Sequence, residues 1–229
     1  MSFISIQNDN ECISFFNGAF NVPLSFVFRK LLHSLCCLIG AMSVVLFDMH
    51  FLIWVVIVLL SAGCVIEWIL LQHSIETIPV AVRTVLHYFE NKDEALDPDA
   101  HGTLHAQGAF IMLLAYMLSL MFFQAYIVAG IFLIIGLADP AAAVIGKILP
   151  LIPLGKKSLG GSVTFFLIAL GVCLLLHISL LYAVGIALIT ALVELTAPID
   201  DNLFVPLSAG LMIHGALFFG AVLNVAPSG

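Results

Sequence analysis

Five acids and three lysines stand where an otherwise apolar chain has little use for charge. Asp139, Glu194, Asp200 and Asp201 gather in the second half, with Glu67 upstream, and Lys147, Lys156 and Lys157 lie between them. The lysines belong to "GLADPAAAVIGKILPLIPLGKKSLGGS", residues 136–162, a polar island between two hydrocarbon-rich runs. Lysines supply positive charge to phosphates, and glycines such as Gly146, Gly160 and Gly161 let backbone amides turn toward an anion. The fifth span, which this segment leads into, would add the partial positive charge of its N-terminus. Carboxylates would repel the same phosphates unless a hard cation stood between. Mg²⁺ resolves that conflict, because it takes one or two carboxylates together with phosphate oxygens. A nucleoside triphosphate with Mg²⁺ is therefore the economical ligand. No GxxxxGK[ST] loop occurs, and Lys156-Lys157 taken alone also read as a membrane-surface anchor.

The elements that carry these residues follow from composition. The 229 residues are 62% hydrophobic and 9% charged, with mean hydropathy +1.20. Soluble domains carry about 25% charged residues, so the expected class is all-α: a polytopic helical bundle in the membrane. One membrane-embedded domain, 1–229, is expected, with an N-terminal segment over 1–23. The net charge of −7 argues against a nucleic-acid partner. Five cysteines show no CxxC spacing; Cys36, Cys37 and Cys64 sit in apolar runs and read as buried thiols. The first 23 residues show no pattern of a signal or transit peptide.

A span takes about 20 apolar residues, and the runs predict seven, at 31–47, 51–71, 106–122, 124–138, 163–178, 180–197 and 203–222. Short hairpins fall near Gln124 and His177–Ser179. Residues 74–90 alternate at helical spacing and predict an interfacial helix, followed by a charged loop over 91–105. With seven spans, Arg29, Lys30, Arg83, Lys92, Lys147, Lys156 and Lys157 all fall on one side, which the positive-inside rule makes cytoplasmic. The N-terminus is then cytoplasmic. Asp139, Asp200 and Asp201 lie at span ends on that side, with Glu67 near it and Glu194 about two turns inside the sixth span. Ionisable groups at such depth usually face a bundle interior and have a task. Asp139-Pro140 reads as N-cap and first helical residue. Gly136 would let the fourth span break, and a short helix over about 140–149 would begin. The segment 139–162 is thus the expected nucleotide-binding segment.

An ordered set of motifs adds to this reading. "DPAAAVIGK" (139–147), "KKSLGGS" (156–162), Glu194 and "DDNLFVPL" (200–207) follow "FRKLLH" (28–33), which contains Arg29, Lys30 and His33. In that order they resemble the CTP-dependent lipid-alcohol kinases, a family that includes dolichol, phytol and farnesol kinases and a CTP-using diacylglycerol kinase. The resemblance implies transfer of the γ-phosphoryl group of CTP to a lipid hydroxyl at the cytosolic face, with Mg²⁺. It assigns phosphate contact to Lys156, Lys157 and the Ser158–Ser162 backbone, with Gly146, Lys147 and Asn202 as further ligand contacts. Asp139 and Asp201, with Asp200, would hold Mg²⁺ or orient the hydroxyl. Glu194, deeper and partly desolvated, suits a general base. Arg29, Lys30, His33 and Glu67 are further candidates. One position departs: the family reads Lys-Ser-Leu-Glu-Gly-Ser, and Gly160 stands at its Glu. Glu194, Asp200 or Asp201 is left to supply that carboxylate, or the chain is a non-catalytic member. The rival enzyme is a CDP-lipid cytidylyltransferase, whose C-terminal Asp-Arg-x-Asp-Ser is absent. A small transporter is the rival of another class, although its acids would be expected near mid-membrane.

Overall fold

The computed structural model describes residues 4–7, 12–15, 20–72, 107–149, 151–154, 157–197 and 201–225. The expected interfacial helix and charged loop, together with Lys156, Asp200 and the side chain of Glu67, lie outside the described residues. The described chain is mostly helical, with seven helices. They are α1 (Leu24–Leu46), α2 (Met49–Gln72), α3 (Gln107–Phe122), α4 (Ala125–Ile148), α5 (Leu159–Leu175), α6 (Leu180–Thr196) and α7 (Asp201–Val225). Three contain stretches long and apolar enough to cross a membrane: Phe26–Leu46, Ala125–Ile148 and Asp201–Phe219. The apolar stretches Met49–Val65, Phe110–Phe122, Leu159–Leu175 and Leu180–Thr196 are shorter. A 17-residue helix is about 25 Å long against a hydrocarbon core of about 30 Å.

The burial pattern is that of a bundle with an apolar exterior. Ala115, Ala138, Ala169, Ala183, Ala187 and Ala209 are completely buried, whereas Leu175 and Leu181 are about four-fifths exposed at 79% and 82%. Small residues let helices approach closely, and large ones face outward. Helix α4 is the centre: it packs on α1, α5 and α7, and Ile127, Val128, Ile131, Phe132 and Ile134 along it are buried. The remaining neighbours run α5 to α6, α6 to α7, α7 to α3 and α3 to α2.

The short hairpins form as expected, with α3 and α4 separated by Phe123-Gln124 and α5 and α6 by residues 176–179. At the second turn His177 takes φ 58°. Its N–H donates to Leu174 O at 3.0 Å, and that of Ile178 donates to Cys173 O at 3.1 Å. This paired closure of a helix end on a left-handed residue satisfies two terminal carbonyls, and it places His177 in the turn rather than within a span.

Four expectations are corrected. The chain is not wholly helical: β1 (Ile4–Gln7), β2 (Cys12–Phe15) and β3 (Phe20–Pro23) form an antiparallel meander, Ile4 opposite Phe15 and Cys12 opposite Pro23. Apolar and polar residues alternate in "ISIQ" and in Ile13-Ser14-Phe15 of "CISF", the period of a strand. A second hairpin pairs β4 (Pro153–Leu154) with β5 (Lys157–Ser158). Helix α4 does not break at Gly136. Asp139 and Pro140 lie inside it, so Asp139 is neither an N-cap nor the start of a new helix. Finally, Cys37 is buried but Cys36 and Cys64 are exposed, all three as free thiols.

Proline inside a helix removes the donor to the carbonyl four residues back, here that of Gly136. The Ser34 hydroxyl, from α1, donates to that carbonyl at 2.5 Å. An α1 residue can reach it because Gly136 has no side chain: an added Cβ would lie 2.8 Å from Cys37 Cβ. The α1–α4 contact thus supplies the hydrogen bond that Pro140 forfeits.

Candidate functional site

Lys157 joins three elements. Its ammonium, projecting from β5, donates to Glu194 Oε1 at 2.7 Å, to the Glu194 backbone carbonyl and to Asp201 Oδ2 at 2.8 Å. Local structure prepares each partner. Glu194 lies two residues before the end of α6, so its carbonyl is one of the four that the helix leaves unsatisfied, and a cation there is favoured by the helix dipole. Asp201 occupies the first turn of α7, where the dipole favours a carboxylate. Burial by itself lowers the tendency of Lys157 to hold its proton. The Asp201 carboxylate and then Glu194 outweigh that effect, so its pKa lies above the ordinary lysine value.

Glu194 is only 7% exposed. Lys157 engages its Oε1, while Oε2 is buried with no hydrogen-bond partner. The Ser162 hydroxyl oxygen is likewise buried and unpaired. Such groups carry a desolvation penalty, and they mark this end of the bundle as a place where a polar ligand would find acceptors waiting.

The second cluster lies between α1 and α4. Lys30 Nζ contacts Asp139 Oδ2 at 2.8 Å, and His33 Nε2 stands 3.6 Å from the same oxygen. Lys30 and His33 are three apart on α1 and share a face. Asp139 is within electrostatic reach of Lys157 and of Glu194, so the two clusters form one charged region. The first half of α1, the middle of α4 at Asp139, the end of α6 and the start of α7 contribute to it.

The structure therefore brings together Asp139, Glu194, Asp201, Lys157, Lys30 and His33. Lys147 goes elsewhere: its ammonium sits 3.7 Å from the Phe26 ring centroid, with the Arg29 guanidinium 5.8 Å from the same ring, a cation–π arrangement. Asn202 follows Asp201 in the first turn of α7. Ser158 caps α5, accepting from Gly161 N at 3.2 Å and donating to Gly146 O at 3.2 Å. That cap starts α5 at Leu159, four residues before the expected start of the fifth span. Gly146 and Gly161 are where α4 and α5 touch, for a Cβ on Gly161 would lie 2.9 Å from Ala142 O. A Cβ on Gly160 would lie 2.0 Å from the Leu149 carbonyl oxygen. The backbone itself occupies the space where the kinase family's Glu would begin.

Ser34 is the residue that sequence reading missed. The signal was indirect: a proline four residues after Gly136 leaves one carbonyl in search of a donor, but nothing local names the donor. Among the described residues no group of three or more His, Cys, Asp or Glu side chains is placed to hold a metal ion. A scan of protein-family models and searches of curated proteins and of solved structures give no match to this chain. The likeness to lipid-alcohol kinases rests on the ordered motifs alone.

Proposed function

We propose that the chain is a CTP-dependent kinase that phosphorylates the hydroxyl of a membrane lipid alcohol. The observation that carries the reading is the Lys157 ammonium held between Glu194 and Asp201, with Glu194 Oε2 buried and unpartnered beside it. Phosphoryl transfer needs little from a protein beyond positioning and charge neutralisation. Lys156 neutralises the phosphates, and Lys157 joins it when an incoming phosphate oxygen replaces one of the three acceptors its ammonium holds. Lys157 also keeps Glu194 in place, and Glu194 Oε2 accepts the proton of the lipid hydroxyl. The alcohol oxygen forms a new bond to the γ-phosphorus, the bond from that phosphorus to the β–γ bridging oxygen breaks, and CDP leaves with the electron pair.

The donor set suits Mg²⁺ bound mainly through the nucleotide. Lys157 occupies one oxygen of Asp201, Lys30 contacts one of Asp139, and a cation that needs one or two carboxylates besides phosphate oxygens fits what remains. Asp201 and Asp139, with Asp200, would hold it; when bound it neutralises charge on the transferred group. Gly160 leaves the family's Glu position without a carboxylate, and Glu194 and Asp201 take over its work.

In this reading all seven helices cross the bilayer and the charged region faces the cytoplasm, as the one-sided Lys and Arg residues support. The deciding experiment incubates purified protein, Mg²⁺ and a panel of lipid alcohols with CTP labelled at either the γ- or the α-phosphate. Transfer from the γ position alone is expected. Transfer from the α position alone would make the protein a cytidylyltransferase, and none from either, in folded protein, would leave it non-catalytic.

A further inference from the structure

A cavity of about 250 Å³ lies between α1 and α4, next to the charged region. Its walls are apolar, with Val27 and Leu31 from α1 and Leu137, Ala141 and Val144 from α4, and its charged lining residue is Lys30. Resting on the kinase reading, we infer that this groove holds the acceptor lipid, its chain between α1 and α4 and its hydroxyl at the Lys30–Asp139 pair.

Three features point there. Lys30 belongs both to the groove wall and to the carboxylate cluster through its 2.8 Å contact with Asp139, so the groove shares one side chain with the charged region. The rim faces outward: Leu31 is 60% and Leu137 40% exposed, on the two helices that pack most extensively on each other and are each long enough to cross a membrane. A lipid could therefore enter sideways from the bilayer. The lining from Val27 to Ser34 covers eight residues of helix, a rise of about 10 Å from first to last, and the volume has room for roughly eight groups the size of a water molecule or methylene. That is the first stretch of a chain, with the remainder left in the bilayer.

An alkyl chain gains little by moving from lipid into an equally apolar groove. Selection must come from Lys30, which can donate to the alcohol oxygen, and from Asp139, which can accept the hydroxyl hydrogen until nucleotide and cation bind and the proton turns to Glu194 Oε2 for transfer. An alcohol should hold the groove and the corresponding ether, which lacks a donor, should not. The same contact would favour the phosphorylated product through the Lys30 ammonium.

The test uses the unmodified full chain in vesicles of zwitterionic phospholipid, without nucleotide. The probe is a prenyl alcohol bearing a photoreactive diazirine a few carbons from its hydroxyl. Labelling is expected on Val27, Leu31, Ala141 or Val144, reduced at least fivefold by excess unlabelled alcohol and not by its methyl ether. Labelling elsewhere on the bundle, or labelling that ether or anionic phospholipid displaces as well as alcohol does, overturns the inference. Ala141→Phe, which fills the groove, should cut labelling at Val27 and Leu31 about fivefold and raise KM for the alcohol about tenfold at unchanged KM for CTP. Because labelling needs no CTP, a groove that binds alcohol without any phosphoryl transfer would sink the kinase reading alone. Transfer with the label mapped to other helices would sink the groove alone.

Discussion

The hydroxyl of Ser34 donates to the carbonyl of Gly136 at 2.5 Å, the carbonyl whose helical donor Pro140 lacks. This relationship lets α4 run unbroken past Pro140 to Ile148 and keeps Asp139 on a rigid helix facing Lys30, rather than in a loop. Ser34→Ala should cost about 1–2 kcal/mol by leaving a carbonyl unpaired. In a Pro140→Ala background the restored N–H takes that carbonyl, and the same change should cost close to nothing. Unfolding of the four proteins in detergent gives the coupling directly; equal costs in both backgrounds would refute the relationship.

Lys157→Met strands a buried carboxylate. Removing one partner of a buried ion pair typically costs about 3–5 kcal/mol; Glu194, at 7% exposure, should bring this variant near the lower figure. Adding Glu194→Gln should recover most of that stability, because the uncompensated charge is gone, while the proposed lipid phosphorylation stays absent. Denaturant unfolding beside a γ-label transfer assay separates the two roles. Failure of the second substitution to restore stability would mean that Lys157 acts through packing.

The same ammonium predicts an alkaline limit. Its pKa is raised in the folded protein above the ordinary 10.5. The stability it contributes is therefore fully present below that ordinary value and is lost as pH rises through the folded value. Lys157→Met, lacking the group, should show a flatter decline over that alkaline range than the unchanged protein. Stability measured across the range in the two proteins checks the sign.

Gly160→Glu would restore the kinase family's residue, yet the structure predicts harm. A Cβ there lies 2.0 Å from the Leu149 carbonyl oxygen, and backbone cannot yield as a flexible side chain does. The variant should lose about 3 kcal/mol or more, at the upper end of overpacking costs, and gain no activity. A folded variant with raised activity would show that residues 149–160 take another arrangement in the working protein.

Apolar runs determined where the helices lie, because a segment's hydropathy is a local property. Five of the seven expected spans lie within a few residues of α2, α3, α6, α7 and the body of α1. The turn at Gln124 and that near His177 were legible for the same reason, and so was the concentration of acids toward one end. The N-terminal strands carry only a short local signal, the alternation of "ISIQ".

Partner choice was decided only by packing. Lys30 and Asp139 are 109 residues apart and Lys157 and Glu194 are 37 apart; nothing local to either lysine selects its carboxylate. Local rules applied to Asp139-Pro140 predict a helix start, and they fail because the missing hydrogen bond is supplied from another helix. Gly160 likewise reads in sequence as a lost carboxylate, whereas in three dimensions it is the residue that lets the Leu149 carbonyl pass. Hydropathy acts within a segment, but a hydrogen bond or a steric contact needs two segments, and the fold alone decides which two meet.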